Sequence, residues 1–321
     1  VKAREAVELA RAALAHWGLS GEVPRLVKKR ENIVFEVRGP EGRPAALRLH
    51  RPGYQSGEAI RSEMLWTEWL HAAGMDVPRP LRTLEGDLIA QGTRVASLVT
   101  WCTGVPLGEG GKPLPWEPAQ QIRLYNGLGR ALARLHNLSD AMPLPAGFTR
   151  PRLDRQSLLG KAPHWGRFWE NPALGKDGVA LLQEARSTLS AMLEPEADCD
   201  FGLIHADALR ENVLVEGNHL RLIDFDDGAF GYRMYDLGVA MAQNWQEGNA
   251  AALADALLEG YASERPLPGD PALLHAFITL RTLASCGWVI GRYGAESREM
   301  ALYGARAVEA ARRFLKQDRL Y

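Results

Sequence analysis

The sequence predicts an α+β fold in two unequal parts, and three observations predict it. The first hundred residues carry short β-type runs broken by turn residues, and the remainder carries long amphipathic helical patterns. Between them lies a Gly/Pro-rich stretch, "TGVPLGEGGKPLP". At 321 residues the chain also exceeds the ~250–300 at which a single core usually stops growing. The boundaries read as 1–100 for a small antiparallel-sheet N-terminal lobe, 101–115 for a connector, and 116–321 for a larger, mainly helical C-terminal lobe.

In order, residues 3–17 place Ala6, Val7, Ala10, Ala13, Leu14 and Trp17 at helical spacing, with Gly18 as a stop. Strand-like runs "VPRLVKK", "IVFEV" and "AALRL" follow, separated by "REN" and by the turn-rich "GPEGRP". A helix over 57–73 and short strands at 81–84, 87–90 and 94–100 complete the first lobe. The second predicts helices over 117–138, 178–193, 236–246, 250–262, 271–291 and 296–316. Its one expected β interruption is a hairpin, "VLVEGNHLRLID", with a Gly217-Asn218 turn.

Composition narrows the function classes. A formal charge of −1 leaves no broad electrostatic footprint for nucleic acid or an anionic membrane. Cys102, Cys199 and Cys286 are widely spaced, which fits free thiols in a reducing compartment rather than a disulfide framework or zinc site. The most apolar late segment, "LLHAFITLRTLASCGWVIG", carries His275 and Arg281 and reads as a buried helix, not a membrane span. With no signal-peptide pattern, a cytoplasmic protein is expected. Walker A, G-x-S-x-G and H-E-x-x-H motifs are absent.

The chemistry concentrates in "GLIHADALRENVLVEGNHLRLIDFDD". The hairpin register sets Asn212 opposite Ile223 and so makes Asn212 and Asp224 neighbours, although twelve positions separate them. A carboxylate and an amide oxygen at one hairpin mouth are hard donors that suit Mg²⁺. Asp207, in the loop just ahead, stands where an acid outside the metal shell can accept a proton from a hydroxyl. The bland reading is a solvated hairpin edge rich in Asp and Asn. The joint pattern H-x-D-x-x-x-x-N, apolar strand, tight turn, apolar strand, D-F outweighs it.

These residues resemble the kinase-type catalytic loop and metal-binding motif. More closely, they resemble the aminoglycoside phosphotransferase and choline kinase superfamily, nearest the branch with the bacterial stress-response Ser/Thr kinase, type II homoserine kinases and hydroxylysine kinases. "HADALREN" stands where that superfamily commonly has H-G-D-L-H-x-x-N, and "LIDFDD" where it has I-D-F or I-D-W plus acid. The resemblance implies a protein-kinase-like two-lobe fold, with ATP between the lobes and Mg²⁺ as its companion. Asp207 would be the catalytic base, with Asn212 and Asp224 as metal ligands. Arg48 of "AALRLHRPG" would pair with phosphate in place of the usual Lys, and Glu63 would steady it. Backbone groups near Thr100 and Cys102 would face adenine, and those of Glu31 and Asn32 would approach the phosphates. His205 and Asp236 would brace the loop; read alone, Asp236 is a helix N-cap.

Several readings stay open at this stage. Arg48 and Glu63 are also ordinary exposed positions of a strand and a helix. Asp226 and Asp227 fit a second metal, a cationic substrate or a turn cap. Trp165, Arg281, Trp288 and Arg292 fit an acceptor pocket, or core aromatics with surface charges. Three functions follow: a kinase of a small hydroxylated amine, amino acid or aminoglycoside-like alcohol; a Ser/Thr protein kinase; and a nucleotide-binding module without catalysis.

Overall fold

The computed structural model describes residues 3–29, 32–194, 200–318 and 321. Glu31 and Cys199 lie outside them. The chain forms two compact units: Val1–Val105 with Ala141–Arg150 and Arg221–Asp226, and Pro106–Asp140 with Pro151–Leu220 and Asp227–Tyr321. The fold is mixed α+β, with an antiparallel N-terminal sheet and a largely helical remainder.

In the first unit, helix α1 (Ala3–Leu14) tightens into a 3₁₀ turn at Ala15–Trp17 and ends at Gly18, whose φ of 72° suits glycine. Strands β1 (Arg25–Lys29), β2 (Ile33–Arg38), β3 (Pro44–Leu49) and β4 (Ala96–Thr100) form an antiparallel sheet in the order β1-β2-β3-β4. Ile33, Phe35 and Val37 of β2 and Ala45, Leu47 and Leu49 of β3 alternate onto one face. There they pack in one buried cluster with Ala6, Ala10, Leu14 and Trp17. Arg48, between Leu47 and Leu49, therefore projects from the opposite face, in register with Val34 and Ser97. Helix α2 (Gly57–Ala72) is N-capped by Ser56, whose hydroxyl accepts from the Ala59 amide at 3.1 Å.

The expected strands at 81–84 and 87–90 do not form. Single bridges, Pro80 to Val99 and Ala90 to Ala96, take their place. Pro80 has no N–H for a ladder, and Gly86 and Gly92 interrupt the run.

Further along the chain come β5 (Val105–Pro106), α3 (Pro118–Asp140), β6 (Arg152–Leu153), α4 (Arg155–Leu159), α5 (Lys176–Met192) and β7 (Phe201–Ile204). Then follow β8 (Val213–Glu216), β9 (His219–Leu222), β10 (Ala229–Tyr232), α6 (Arg233–Met241), α7 (Ala250–Ala262), α8 (Leu274–Trp288) and α9 (Arg298–Leu315). The hairpin strands β8 and β9 stand where the sequence put them, with Gly217 at φ 62° in the turn and β5 along the other edge of β8.

The hairpin is not the only β structure in the second unit, contrary to expectation. Strands β6, β10 and β7 make a three-stranded sheet in the order β6-β10-β7. Runs of two to four residues are too short to show a period, which is why the sequence hid them. Helices α3 and α7 meet almost backbone to backbone. A Cβ at Gly129 would fall on the Leu257 carbonyl, and one at Gly260 on the Asn126 carbonyl.

Candidate functional site

In the first unit the chemistry gathers on Arg48. Its Nη1 donates to Glu63 Oε1 at 2.9 Å and its Nη2 to Asp224 Oδ1 at 3.1 Å. Glu63 lies on the buried face of α2 and is 1% exposed. Burial opposes the Arg48 charge, but Glu63, Asp224 and Asp226 outweigh it and hold the pKa above the ordinary guanidinium value. Burial pushes the Glu63 carboxyl up, with Arg48 and Arg150 opposing. The sequence alternatives of an exposed strand arginine and a solvated helix acid do not describe these side chains. Asp224 adopts φ 67°, a left-handed conformation that Asp tolerates better than most residues.

Asp226 is tied within the same unit. Its Oδ2 accepts from Asn32 Nδ2 at 3.1 Å, and its carbonyl accepts from Gln55 Nε2 at 3.3 Å and from Arg150 Nη2 at 2.5 Å. Asn32 thus engages Asp226 with its side chain and receives the Arg51 amide on Oδ1. Arg150 is buried and also donates to the Ala59 and Phe225 carbonyls, which pins the segment carrying Asp224 to α2. His50 Nδ1 stands 4.0 Å from Asp226 Oδ1, and burial, then Arg48 and Arg150, hold its imidazole well below the usual pKa. Nothing local marks Arg150 or His50, since a lone Arg or His reads as surface. Thr100 ends β4, and its N–H already donates to the Arg79 carbonyl. The half-buried Cys102 thiol is pushed up to about 11 by burial and by Asp76.

In the second unit the centre is Asp207. Asp236 lies in the first turn of α6, not at its cap, because the helix begins at Arg233. Its Oδ2 accepts from the His205 amide at 2.8 Å and its Oδ1 from the Ala206 amide at 2.7 Å. Burial works against that carboxylate, but hydrogen bonds from the His136 ring and the His205 backbone hold its pKa below the ordinary range. His136, fully buried, bridges Asp236 Oδ2 at 3.0 Å and the Tyr261 hydroxyl at 2.8 Å. Burial depresses its pKa, so the ring is neutral: Nε2–H donates to Asp236 and Nδ1 accepts from Tyr261. His205 is fully buried too, and its Nδ1 accepts from the Asp207 amide at 3.3 Å.

Both carboxylate oxygens of Asp207 receive donors. Asn212 Nδ2 reaches Oδ2 at 2.7 Å and the Asp207 carbonyl at 2.9 Å; Arg281 Nη2 reaches Oδ1 at 2.7 Å. Because the Asn212 amide nitrogen is committed to Asp207, its Oδ1 is the atom left to offer a metal. Among the described residues, no group of three or more His, Cys, Asp or Glu could hold a metal ion. Asp224 in the first unit and Asn212 in the second each carry a hard oxygen donor of the kind that suits Mg²⁺.

The Trp165 indole stacks on Tyr235 (centroids 6.1 Å apart, planes 9° apart) and lies 5.7 Å beneath the Arg281 guanidinium. Burial opposes the Arg281 charge, but Tyr235, Asp207 and Asp227 raise its pKa. Asp227 thus acts on Arg281, whereas its neighbour Asp226 is engaged by Asn32. Trp288 sits in a separate aromatic group with Tyr293 and Tyr303, covered by the Arg292 guanidinium at 4.3 Å. Arg210, inside the loop motif but not singled out from sequence, is buried and donates to Asn244, Glu247 and the Lys112 carbonyl.

Comparison with known proteins decides the family: residues 22–274 match the sequence model of the phosphotransferase enzyme family. The chain belongs to that family. Among solved structures, a microcompartment-associated aminopropanol kinase superposes with a TM-score of 0.83 at 30% identity, covering 98% of this phosphotransferase and 100% of that chain. The amicoumacin kinase of Bacillus subtilis is 25% identical over 92% of this chain and 90% of its own length. A homoserine kinase of Rhizobium etli is 29% identical over 63% of this chain and 59% of its own. The protein is therefore a phosphotransferase of this family, and the relatives named are kinases of small molecules. No helix among the described residues of the phosphotransferase is long and apolar enough to cross a membrane.

Proposed function

We propose that this phosphotransferase moves the γ-phosphate of ATP to the hydroxyl of a small amino alcohol, with Asp207 as the base. The observation that carries the reading is the Asp207 carboxylate, oriented by donors on both oxygens within the segment that matches the family pattern. The aminopropanol kinase, similar over nearly the whole of both chains, supports an amino alcohol as acceptor.

In this mechanism Asp207 accepts the proton of the attacking hydroxyl and aligns it with the γ-phosphorus. Asn212 Oδ1 and Asp224 would hold Mg²⁺, which when bound neutralises phosphate charge. Arg48, held through Nη1 by Glu63 and through Nη2 by Asp224, would supply a fixed cation for phosphate oxygens. Glu63 holds that guanidinium in place. Asp236 fixes the backbone on which Asp207 stands.

The test is ADP release from ATP and Mg²⁺ over 1-amino-2-propanol, ethanolamine, choline, homoserine, hydroxylysine and aminoglycosides, with a generic protein substrate alongside. Turnover with an amino alcohol is the expected result. Phosphorylation of the protein substrate alone rejects the acceptor class, and ATP binding with no transfer to any of them rejects catalysis.

A further inference from the structure

The loop that carries Asp207 holds one cationic residue of its own, Arg210, and that residue is turned elsewhere, onto Asn244, Glu247 and the Lys112 carbonyl. The cation that meets Asp207 instead comes from the middle of α8, seventy-four positions along the chain. Arg281 is 7% exposed, with the Trp165 indole beneath its guanidinium, and the indole is itself held flat against Tyr235. A side chain packed this way offers its Nη2–H from one place only.

We propose that Arg281 is a positioning residue for phosphoryl transfer: with Asn212 it fixes the plane of the Asp207 carboxylate toward the acceptor hydroxyl. This rests on the reading of Asp207 as the base. The torsion that matters is that of the aspartate side chain. Its terminal sp³–sp² rotation is broad, so one donor leaves the carboxylate free to swing. Donors at 2.7 Å on Oδ1 and at 2.7 Å on Oδ2, from two separate elements, remove that freedom. Each oxygen keeps a further lone pair, so the base can still accept the hydroxyl proton.

A purely structural role accounts poorly for the same contact. Replacing a whole buried ion pair by apolar side chains of similar volume is often neutral or stabilising, so burial of the pair is weak evidence for a structural role. Arg281 Nε has no hydrogen-bond partner among the described residues, so the charge is not fully compensated. Its carboxylate partner is the more open of the two, with 20% of the Asp207 side chain exposed against 9% for Arg281. The pair is thus built from the inside outward, and the reactive end is the one left accessible.

The experiment uses the full chain with Mg²⁺ and ATP, measuring ADP release both to water and to 1-amino-2-propanol. Arg281→Met should lower kcat roughly 100-fold, the size of effect that about 1 Å of misplacement produces, with the KM for ATP within about twofold and only a small fall in Tm, because the Asp207 carboxylate left behind is partly exposed. Arg281→Lys keeps the charge but loses the fork, and should fall about 10-fold. In Arg281→Ala, millimolar guanidinium should restore part of kcat at concentrations that leave Tm unmoved. Two results overturn the proposal: kcat of the Met variant within about threefold of the native value, or a loss matched by equal losses in Tm and ATP affinity that guanidinium does not repair. Asp207→Asn, run in parallel, separates the two ideas. If it still turns over, the base assignment falls; if it is dead while Arg281→Met is fully active, only the positioning role falls.

Discussion

The two carboxylate–guanidinium clusters of this kinase are mirror images in exposure. At Arg48 the acid beneath is sealed, with 2% of the Glu63 side chain exposed, and the cation is the more open at 16%. At Asp207 the cation is the sealed partner and the acid is open. Within the Arg48–Glu63 and Arg281–Asp207 pairs the more open member is therefore the cation in one unit and the acid in the other, although Arg48 also meets the more exposed Asp224. A phosphate needs the first and a hydroxyl proton needs the second. Which partner is buried thus decides what a salt bridge can do, more than the pair itself.

The comparison breaks most sharply at the open ends. Asp207→Asn removes the proton acceptor but keeps the shape, so kcat should fall by about 10³-fold while nucleotide binding persists. Rapid-quench measurement of ADP formation beside ATP binding by calorimetry checks both halves. Arg48→Ala strips the cation from a buried acid, and should cost about 3–5 kcal/mol of stability together with a raised KM for ATP. Denaturant unfolding reads the first and steady-state kinetics the second; native stability in that variant contradicts the pairing.

A smaller effect is expected behind the base. Asp236→Asn leaves one of the His205 and Ala206 amides without its charged acceptor, for a loss of about 1–3 kcal/mol and a proportionate drop in kcat. Smallest is the pH dependence. Burial keeps His136 neutral below its ordinary pKa of 6.5, whereas the unfolded chain protonates near that value. The unfolded state therefore binds more protons below pH 6.5, and stability falls as pH drops from there toward the folded-state pKa. The slope is at most about 1.4 kcal/mol per pH unit for one such group. His50 follows the same sign in the first unit. Replacing His136 by Gln should shrink the acid-side loss of Tm, with His50 supplying the remainder; a profile flat to pH 5 excludes both.

Much of this was legible in the sequence, because the relevant signals are local. The alternation of β2 and β3 put Arg48 on the face away from the α1 core, and helix spacing gave α2. The Gly-Asn turn gave the hairpin, and the H-x-D-x-x-x-x-N spacing singled out Asp207. What remained hidden was non-local. Arg281 stood out for an acceptor pocket but not for Asp207, and Arg150 and His50 not at all, because all three meet partners far along the chain and no period marks an arginine that will be buried. The β6-β10-β7 sheet escaped for the opposite reason, its strands being too brief to display alternation.

Ala206 carries a last consequence. It sits at φ 63°, where the related motif commonly has glycine, and a side chain there costs about 1–2 kcal/mol. The Asp236 carboxylate, gripping the consecutive backbone amides of His205 and Ala206, overrides that preference. The loop before the base is therefore held like a drawn spring between two clips. A glycine would relax it and make the fold more comfortable, yet would give Asp207, the proposed base, more places to be.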